Sequence, residues 1–451
     1  MLDLAIVNGN VYFDGGIHRV DIGVQDGKTV QVSQGTLPEA QKTVDASQKF
    51  VMPGAIDPHV HFGIYNPWES DFVTESKAAA AGGITTAISY FREKTPYLSL
   101  LPRIIAEAEK GSLIDFGIHL GILTQQHVDE LQEYASSFGV ISYKFYTNYM
   151  GNVKKIFGAE DALNLDEGDM DHIFRKTAGT NITICVHCEN MSISRRLERD
   201  LDRDKENSLV FYEKRSPDYA ETQSLMSTLY LARLTGAKVY IVHTSSGSST
   251  EFVQRTKGIW GENYTMETCP HYLSATASET GLAGKVNPPL RSAQNAEFLW
   301  EGIRSGLLTT IGSDHCPCTR EKKGTGSLDA VKPGFGEMEL TLPLLFSEGY
   351  HKRGLPLETI ARITSANVAK AFGLAPSKGS IAPGADADIV LVDLSLERKV
   401  TPSSLHGSSG YSIYEGRTLK GWPVMTIRRG EIIAENGIVS EEGGGRYLKR
   451  S

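Results

Sequence analysis

The sequence predicts a (β/α)8 barrel joined to a small β-sandwich domain formed from both chain ends. Three observations point there. The chain has 451 residues, enough for a large barrel plus a satellite domain. Its middle alternates eight apolar, strand-like runs with helical stretches. Its two ends consist instead of short alternating runs punctuated by turn residues.

At the start, LAIVNGNVYF, HRVDIGVQDG and KTVQVSQG read as antiparallel hairpins separated by Asn-Gly and Asp-Gly turns. At the other end, ADADIVLVDL and VMTIRRGEIIAENG have the same character. The ends are therefore expected to pair, with residues 1–52 and 378–451 forming the sandwich and 53–377 the barrel. The expected barrel strands are Gly54–His61, Thr85–Phe91, Asp115–Leu123, Val140–Thr147, Ile182–His187, Lys238–Thr244, Tyr264–Pro270 and Leu308–Asp314. Most are continuous apolar runs, as parallel strands buried on both faces require. Tyr97–Lys110, Gln126–Ser136, Ala220–Leu234 and Asn295–Arg304 read as helices between them. Arg195–Glu206 is dense in both charge signs and reads as a solvated helix with i,i+4 ion pairs. The stretch Thr319–Gly336, rich in Gly and Lys, is a long irregular loop after the last strand, of the kind that often forms a lid.

A net charge of -8 gives no support to binding of nucleic acid or an anionic membrane surface. No apolar run approaches transmembrane length, and MLDLAIVNGNVYF lacks the basic head of a secretory signal, so a cytoplasmic protein is expected. The five cysteines are too sparse for a disulfide framework. Cys185/Cys188 and Cys316/Cys318 have the close spacing of sulfur ligands, but the gap between the pairs is unlike a zinc ribbon, and free thiols are expected.

In such a barrel the functional groups sit at the C-terminal ends of the strands. Strand one ends in His59-Val60-His61, and residues two apart on an extended chain face the same way. Strand five ends in His187, strand six in His243 and strand eight in Asp314, while strand four carries Lys144. Each alone is weak; together they read as a metal site. Lys144 raises a charge problem, since an ammonium would be repelled by divalent cations. It must be neutral, absent from the site, or converted to an anion, and a carbamate formed with carbon dioxide can bridge two metals as a carboxylate would.

Ile56–His61 (IDPHVH), Ala78–Thr86 (AAAAGGITT), Val186–Asn190 (VHCEN), Glu267–Tyr272 (ETCPHY), Asn287–Arg291 (NPPLR), Gly312–Pro317 (GSDHCP) and Lys378–Asp393 resemble the cyclic amidohydrolase group of the amidohydrolase superfamily, which contains hydantoinases, dihydropyrimidinases, allantoinases and dihydroorotases. The likeness spans essentially the whole chain. It implies two divalent ions, usually zinc, bridged by N6-carboxylated Lys144, with His59, His61 and Asp314 on one ion and His187 and His243 on the other. It implies a homo-oligomer, tetramer or dimer. It also implies attack of a metal-bridging hydroxide on a small cyclic amide of hydantoin or dihydropyrimidine type, with Asp314 moving the proton and Tyr149, five residues after Lys144, donating to the oxyanion. Allantoinase activity is the alternative.

Dihydroorotase is disfavoured, because the arginine that typically follows HxH is replaced by Phe62-Gly63, although Arg92 can substitute for it. A non-catalytic scaffold is disfavoured by the intact ligand set, and a one-metal deaminase by Lys144. Substrate contacts are expected at Tyr149, Asn287 and Leu340; the last two depart from the Ser and Asn common in hydantoinases. The loops Ile64–Ser70, Phe91–Tyr97 and Met150–Phe157 are expected to line the pocket. Their aromatics Tyr65, Trp68, Phe91, Tyr97 and Phe157 suit an apolar or aryl ring substituent, or plain loop packing.

Overall fold

The structure, a computed structural model, describes residues 1–201 and 206–450. It opens with five strands, β1 (Leu2–Phe13), β2 (Gly16–Gln25), β3 (Lys28–Ser33), β4 (Ala40–Asp45) and β5 (Phe50–Pro53). The barrel strands follow: β6 (Ala55–Val60), β7 (Ile84–Phe91), β8 (Asp115–Gly121), β9 (Ser142–Tyr146), β10 (Thr183–His187), β11 (Lys238–Ile241), β12 (Tyr264–Thr268) and β13 (Leu308–Ile311). Strands β14 (Ile389–Lys399), β15 (Thr418–Arg428), β16 (Glu431–Glu435) and β17 (Ile438–Val439) return to the first sheet. That sheet has nine strands in mixed orientation.

The two chain ends meet where β14 runs antiparallel to β5. Leu4, Val11, Ile22 and Val24 from one half and Ile389, Leu391, Met425 and Ile427 from the other share one apolar core. Burying both halves against each other makes this a separate small sheet domain. Asp14-Gly15 and Asp26-Gly27 form the expected two-residue hairpin turns, with φ of 50° and 80° and of 51° and 73°. Asn8-Gly9 does not form a turn. It is a bulge inside the continuous β1, where Asn8 has φ 66° and its N–H donates to Asp21 at 2.9 Å. The pairing is also not purely of hairpins, because β1 lies parallel to both β4 and β5.

The eight barrel strands run parallel in sequence order from β6 to β13. The circle closes beyond the strand ends, where His61 N–H donates to His315 O at 2.7 Å and Val60 bridges His315 in parallel register. Ser313 N–H adds a bond to Asp57 Oδ1 at 3.0 Å. Strands β6 to β10 are buried along their whole length, which is why they read as unbroken apolar runs. The stretch expected as one helix at Gln126–Ser136 is two, Gln125–Asp129 and Leu131–Phe138, separated at Glu130, where ψ of 1° leaves the helical region. The helix Met191–Asp200 carries the Arg196–Asp200 i,i+4 pair expected of the charged run, whose residues 202–205 lie outside the described residues.

Side-chain caps start helices immediately after two site strands. Asn190 accepts from Ser192 and Ile193 N–H, and Ser246 from Ser249 N–H. They fix the turn that releases the chain from the barrel mouth. No helix among the described residues is long and apolar enough to cross a membrane.

At the barrel base, Lys378 Nζ sits 2.5 Å from Asp115, 2.9 Å from Asp386 and 2.7 Å from Asp388. Arg429 also binds Asp115. These three carboxylates have the arrangement of a cation site, and the cation is the lysine itself. The cluster ties β8 to the sheet domain. Lys378→Met leaves the buried carboxylates short of one cation and is expected to lower stability by about 3–5 kcal/mol, read from the denaturation midpoint in urea.

Candidate active site

Six of the eight barrel strands, or the residues just past them, carry the site side chains toward the same mouth. His59 lies in β6 and His61 just past it, Lys144 is central in β9, His187 ends β10, and Glu267 lies in β12. His243 and Asp314 do not lie on strands. They follow β11 and β13 by two and three residues, with left-handed φ of 38° and 52°. The strands stop short because the backbone turns sharply there, and each turn swings its side chain inward. Gly312 makes room for this. A Cβ at that position would stand 2.5 Å from Glu267 Oε2 and 2.6 Å from His59 Cβ.

His59, Lys144, His187, His243 and Asp314 are buried and His61 nearly so. His59 Nδ1 lies 2.7 Å from Glu267 Oε1. With its hydrogen given to that carboxylate, Nε2 is a bare lone pair. It has no hydrogen bond and faces Asp314 Oδ1, another acceptor, at 3.2 Å. His61 Nε2 is 3.0 Å from the same oxygen. On the other side His187 Nε2 is 3.1 Å from Glu189 Oε2, so its Nδ1 is the lone pair, 2.8 Å from His243 Nε2. Burial holds His59 and His243 well below the usual imidazole range, which keeps them neutral.

Two carboxylates orient this set, and the sequence reading missed both as functional residues. Glu267 accepts from His59, from His243 N–H at 2.8 Å and from Tyr240 OH at 2.9 Å. Burial pushes its carboxyl up to about 8, and a neighbouring cation is what keeps such a group ionised. Glu189 is fixed by Ser216 as well as His187. Both stand in quoted motifs, ETCPHY and VHCEN, at the same strand ends as the histidines. Lys144 Nζ lies 4.4 Å from the Tyr90 ring centroid. Among the described residues it makes no hydrogen bond or ion pair. Burial lowers its ammonium to about 8.

These atoms open into a cavity of about 180 Å³ lined by His61, Lys144, His187, His243 and Asp314, with Ile64, Tyr65, Arg92, Tyr149 and Asn287 around its mouth. Tyr149 sits in the turn Thr147–Tyr149 after β9, packed on Tyr146 and Phe157. Asn287 accepts from Tyr212 OH and precedes a cis proline. Leu340 is not brought here. It is fully buried beside a separate small cavity with Ala78 and His315, because the chain folds under the helix Trp68–Ala81 by that point. The part of that stretch reaching the cavity is Pro333-Gly334. Phe91 and Tyr97 are core residues, the latter donating its OH to Gly121 O at 2.9 Å. All five cysteines are free and buried.

The stretch expected as a lid is pinned down by ammonium groups. Lys323 Nζ donates to Lys285 O at 2.9 Å and Gly334 O at 2.5 Å, and Lys285 Nζ donates to Leu328 O and Val331 O, both at 2.7 Å.

Imidazoles, a lysine and an aspartate thus converge at the mouth of a (β/α)8 barrel, the end at which such barrels carry their active sites. The Amidohydrolase family model matches residues 50–433, and the chain belongs to that family. It is 31% identical over 462 residues to an L-hydantoinase of Paenarthrobacter aurescens, covering 100% of this chain and 98% of that one. It is 34% identical to an allantoinase of Rubrobacter xylanophilus, covering 98% and 97%. A crystal structure of a D-hydantoinase superposes with a TM-score of 0.90 at 28% identity, over 99% and 98% of the two chains. The solved L-hydantoinase (dihydropyrimidinase) from Arthrobacter aurescens gives 0.90 at 30%, over the whole of both.

Lys323→Ala frees two buried carbonyls and is expected to raise the rate of proteolytic cleavage within 319–336 by roughly tenfold or more, read by limited proteolysis.

Proposed function

We propose that this chain is a metal-dependent hydrolase that opens a small cyclic amide ring of hydantoin or dihydropyrimidine type. The observation that carries the reading is the convergence of four imidazoles, Lys144 and Asp314 at the barrel mouth with His59 Nε2 left bare. With its hydrogen on Nδ1, His59 Nε2 opposes Asp314 Oδ1 at 3.2 Å, acceptor to acceptor, and His187 Nδ1 stands 2.8 Å from His243 Nε2. Nitrogen and carboxylate donors of this kind fit zinc. His59, His61 and Asp314 would hold one ion, and His187 and His243 the other. A buried lysine with no acceptor is a poor ammonium and a good amine, so Lys144, once it added carbon dioxide and lost a proton, would offer an anionic carbamate to the ions. The hydantoinase and allantoinase relatives support the choice of substrate class.

When bound, two such ions supply hydroxide near neutral pH and polarise the scissile carbonyl. Asp314 accepts the proton of the attacking water and returns it to the departing ring nitrogen. Tyr149 OH donates to the developing oxyanion, and Asn287 with Gly334 borders the ring. Glu189 and Glu267 hold the imidazole tautomers. The same reading includes a homo-oligomeric assembly.

The test is a hydrolysis screen of the metal-loaded protein over 5-substituted hydantoins of both hands, dihydrouracil, allantoin and dihydroorotate. Turnover of at least one, lost on chelation and restored by zinc, is expected. A protein with stoichiometric metal that opens none of them overturns the assignment.

Two variants separate the roles. Lys144→Ala is expected to fall below two ions per chain and to lose on the order of 100-fold or more in kcat. It should also lack the carbamate signal expected of the parent by NMR after equilibration with 13C-labelled carbon dioxide. Tyr149→Phe is expected to lose about 100-fold in kcat with metal content unchanged. Near-parental turnover removes Tyr149 from the mechanism.

A further inference from the structure

Of the loop aromatics expected at the cavity, Tyr65 lines it, and Trp68, Phe91, Tyr97 and Phe157 do not. Phe91 and Tyr97 turn into the core, and the residue between them that reaches the cavity is Arg92. Its guanidinium carbon lies 5.5 Å from the Tyr149 ring centroid, stacked rather than salt-bridged. Among the described residues it makes no hydrogen bond or ion pair. The carboxylate on the cavity wall is Asp314, which the imidazoles already occupy.

The mouth around Arg92 repeats this sign. Lys94 Nζ stands beside Gly158, 3.5 Å from the point a Cβ there would occupy. Lys322 Nζ bonds only Tyr65 O at 3.0 Å and Asn66 Oδ1 at 2.7 Å. Lys332 Nζ stands 5.5 Å from the centroid of the Tyr65 ring. All three are exposed and form no salt bridge among the described residues; Lys94 follows β7, and Lys322 and Lys332 belong to the one stretch after β13. A cationic rim on a chain of net charge -8 is a local design. Such a rim would steer anions toward the cavity, with Glu93 and Glu160 as the acidic groups beside Lys94.

We infer that Arg92 is a specificity-determining residue, and that the ring substituent of the substrate carries a carboxylate, which the stacked guanidinium receives. This rests on the cyclic-amide reading above and names its substrate class. A planar fork held over an aromatic face matches a carboxylate in two hydrogen bonds. An apolar or aryl substituent in the same place would bury that guanidinium with nothing to bind.

The test compares 5-(carboxymethyl)hydantoin with 5-isobutylhydantoin, similar in shape and different in charge, using the metal-loaded protein and its Arg92→Met and Arg92→Gln variants. The parent is expected to favour the charged ring in kcat/KM by on the order of 10- to 100-fold. Both variants should collapse that ratio, and the parent's ratio should shrink as ionic strength rises. Preference for the isobutyl ring, an unchanged ratio in both variants, or preference for allantoin over the carboxymethyl ring overturns the proposal. If no ring is turned over, the cyclic-amide reading fails. Calorimetric binding of the same two rings then still decides whether Arg92 selects the charged one.

Discussion

One buried carboxylate holds the centre of this molecule. Glu267 receives the His59 imidazole from β6, the His243 main chain beyond β11 and the Tyr240 hydroxyl within β11. Three donors converge on a group that burial alone would protonate. The cost of keeping that charge in the interior is met only where a positive charge lies beside it. The arrangement of imidazoles thus hangs on this carboxylate, which would act on a bound cation through the rings rather than by direct contact.

The barrel makes that arrangement stiff. Each site residue hangs from a strand whose neighbours are fixed by parallel pairing, and the strands are buried on both faces. Where aim matters more than regularity, the backbone leaves the strand, as it does in the left-handed residues His243 and Asp314. The absence of a side chain at Gly312 lets the β13 end approach Glu267 and His59. The loops that shape the mouth lie outside this frame. The loop clamped by Lys323 and Lys285 and the loop bearing Arg92 shape the mouth without touching the orienting carboxylates.

The barrel strands were legible because burial on both faces writes them as apolar runs, and the chemistry-bearing residues were legible because five of them stand at or just past the ends of those runs and Lys144 is a lone cation inside one. Glu267 and Glu189 occupy equivalent positions but orient rings instead of joining the ligand set, a distinction that only their partners reveal. Asn8-Gly9 has the composition of a turn and forms a bulge, since Asp21 across the sheet captures the Asn8 N–H. Leu340 is misplaced for a related reason. Distance along the chain from β13 does not show which part of the following segment bends back to the cavity, and Pro333-Gly334 does so. Arg92 stands at a strand end like the histidines, yet its free guanidinium is visible only once its aromatic neighbours are seen to turn inward.

The way the barrel closes has a consequence for how the protein folds. His61 and His315 join strands that lie some 250 residues apart in sequence, the longest-range pairing in the barrel. Loop-closure entropy places such a contact late among folding events. His61 and Asp314 sit on the two sides of that seam, so they become neighbours only when the circle is complete. An ion held between them binds the finished barrel and none of its precursors. It would act as a latch on folding, drawing the last and least probable closure to completion by mass action.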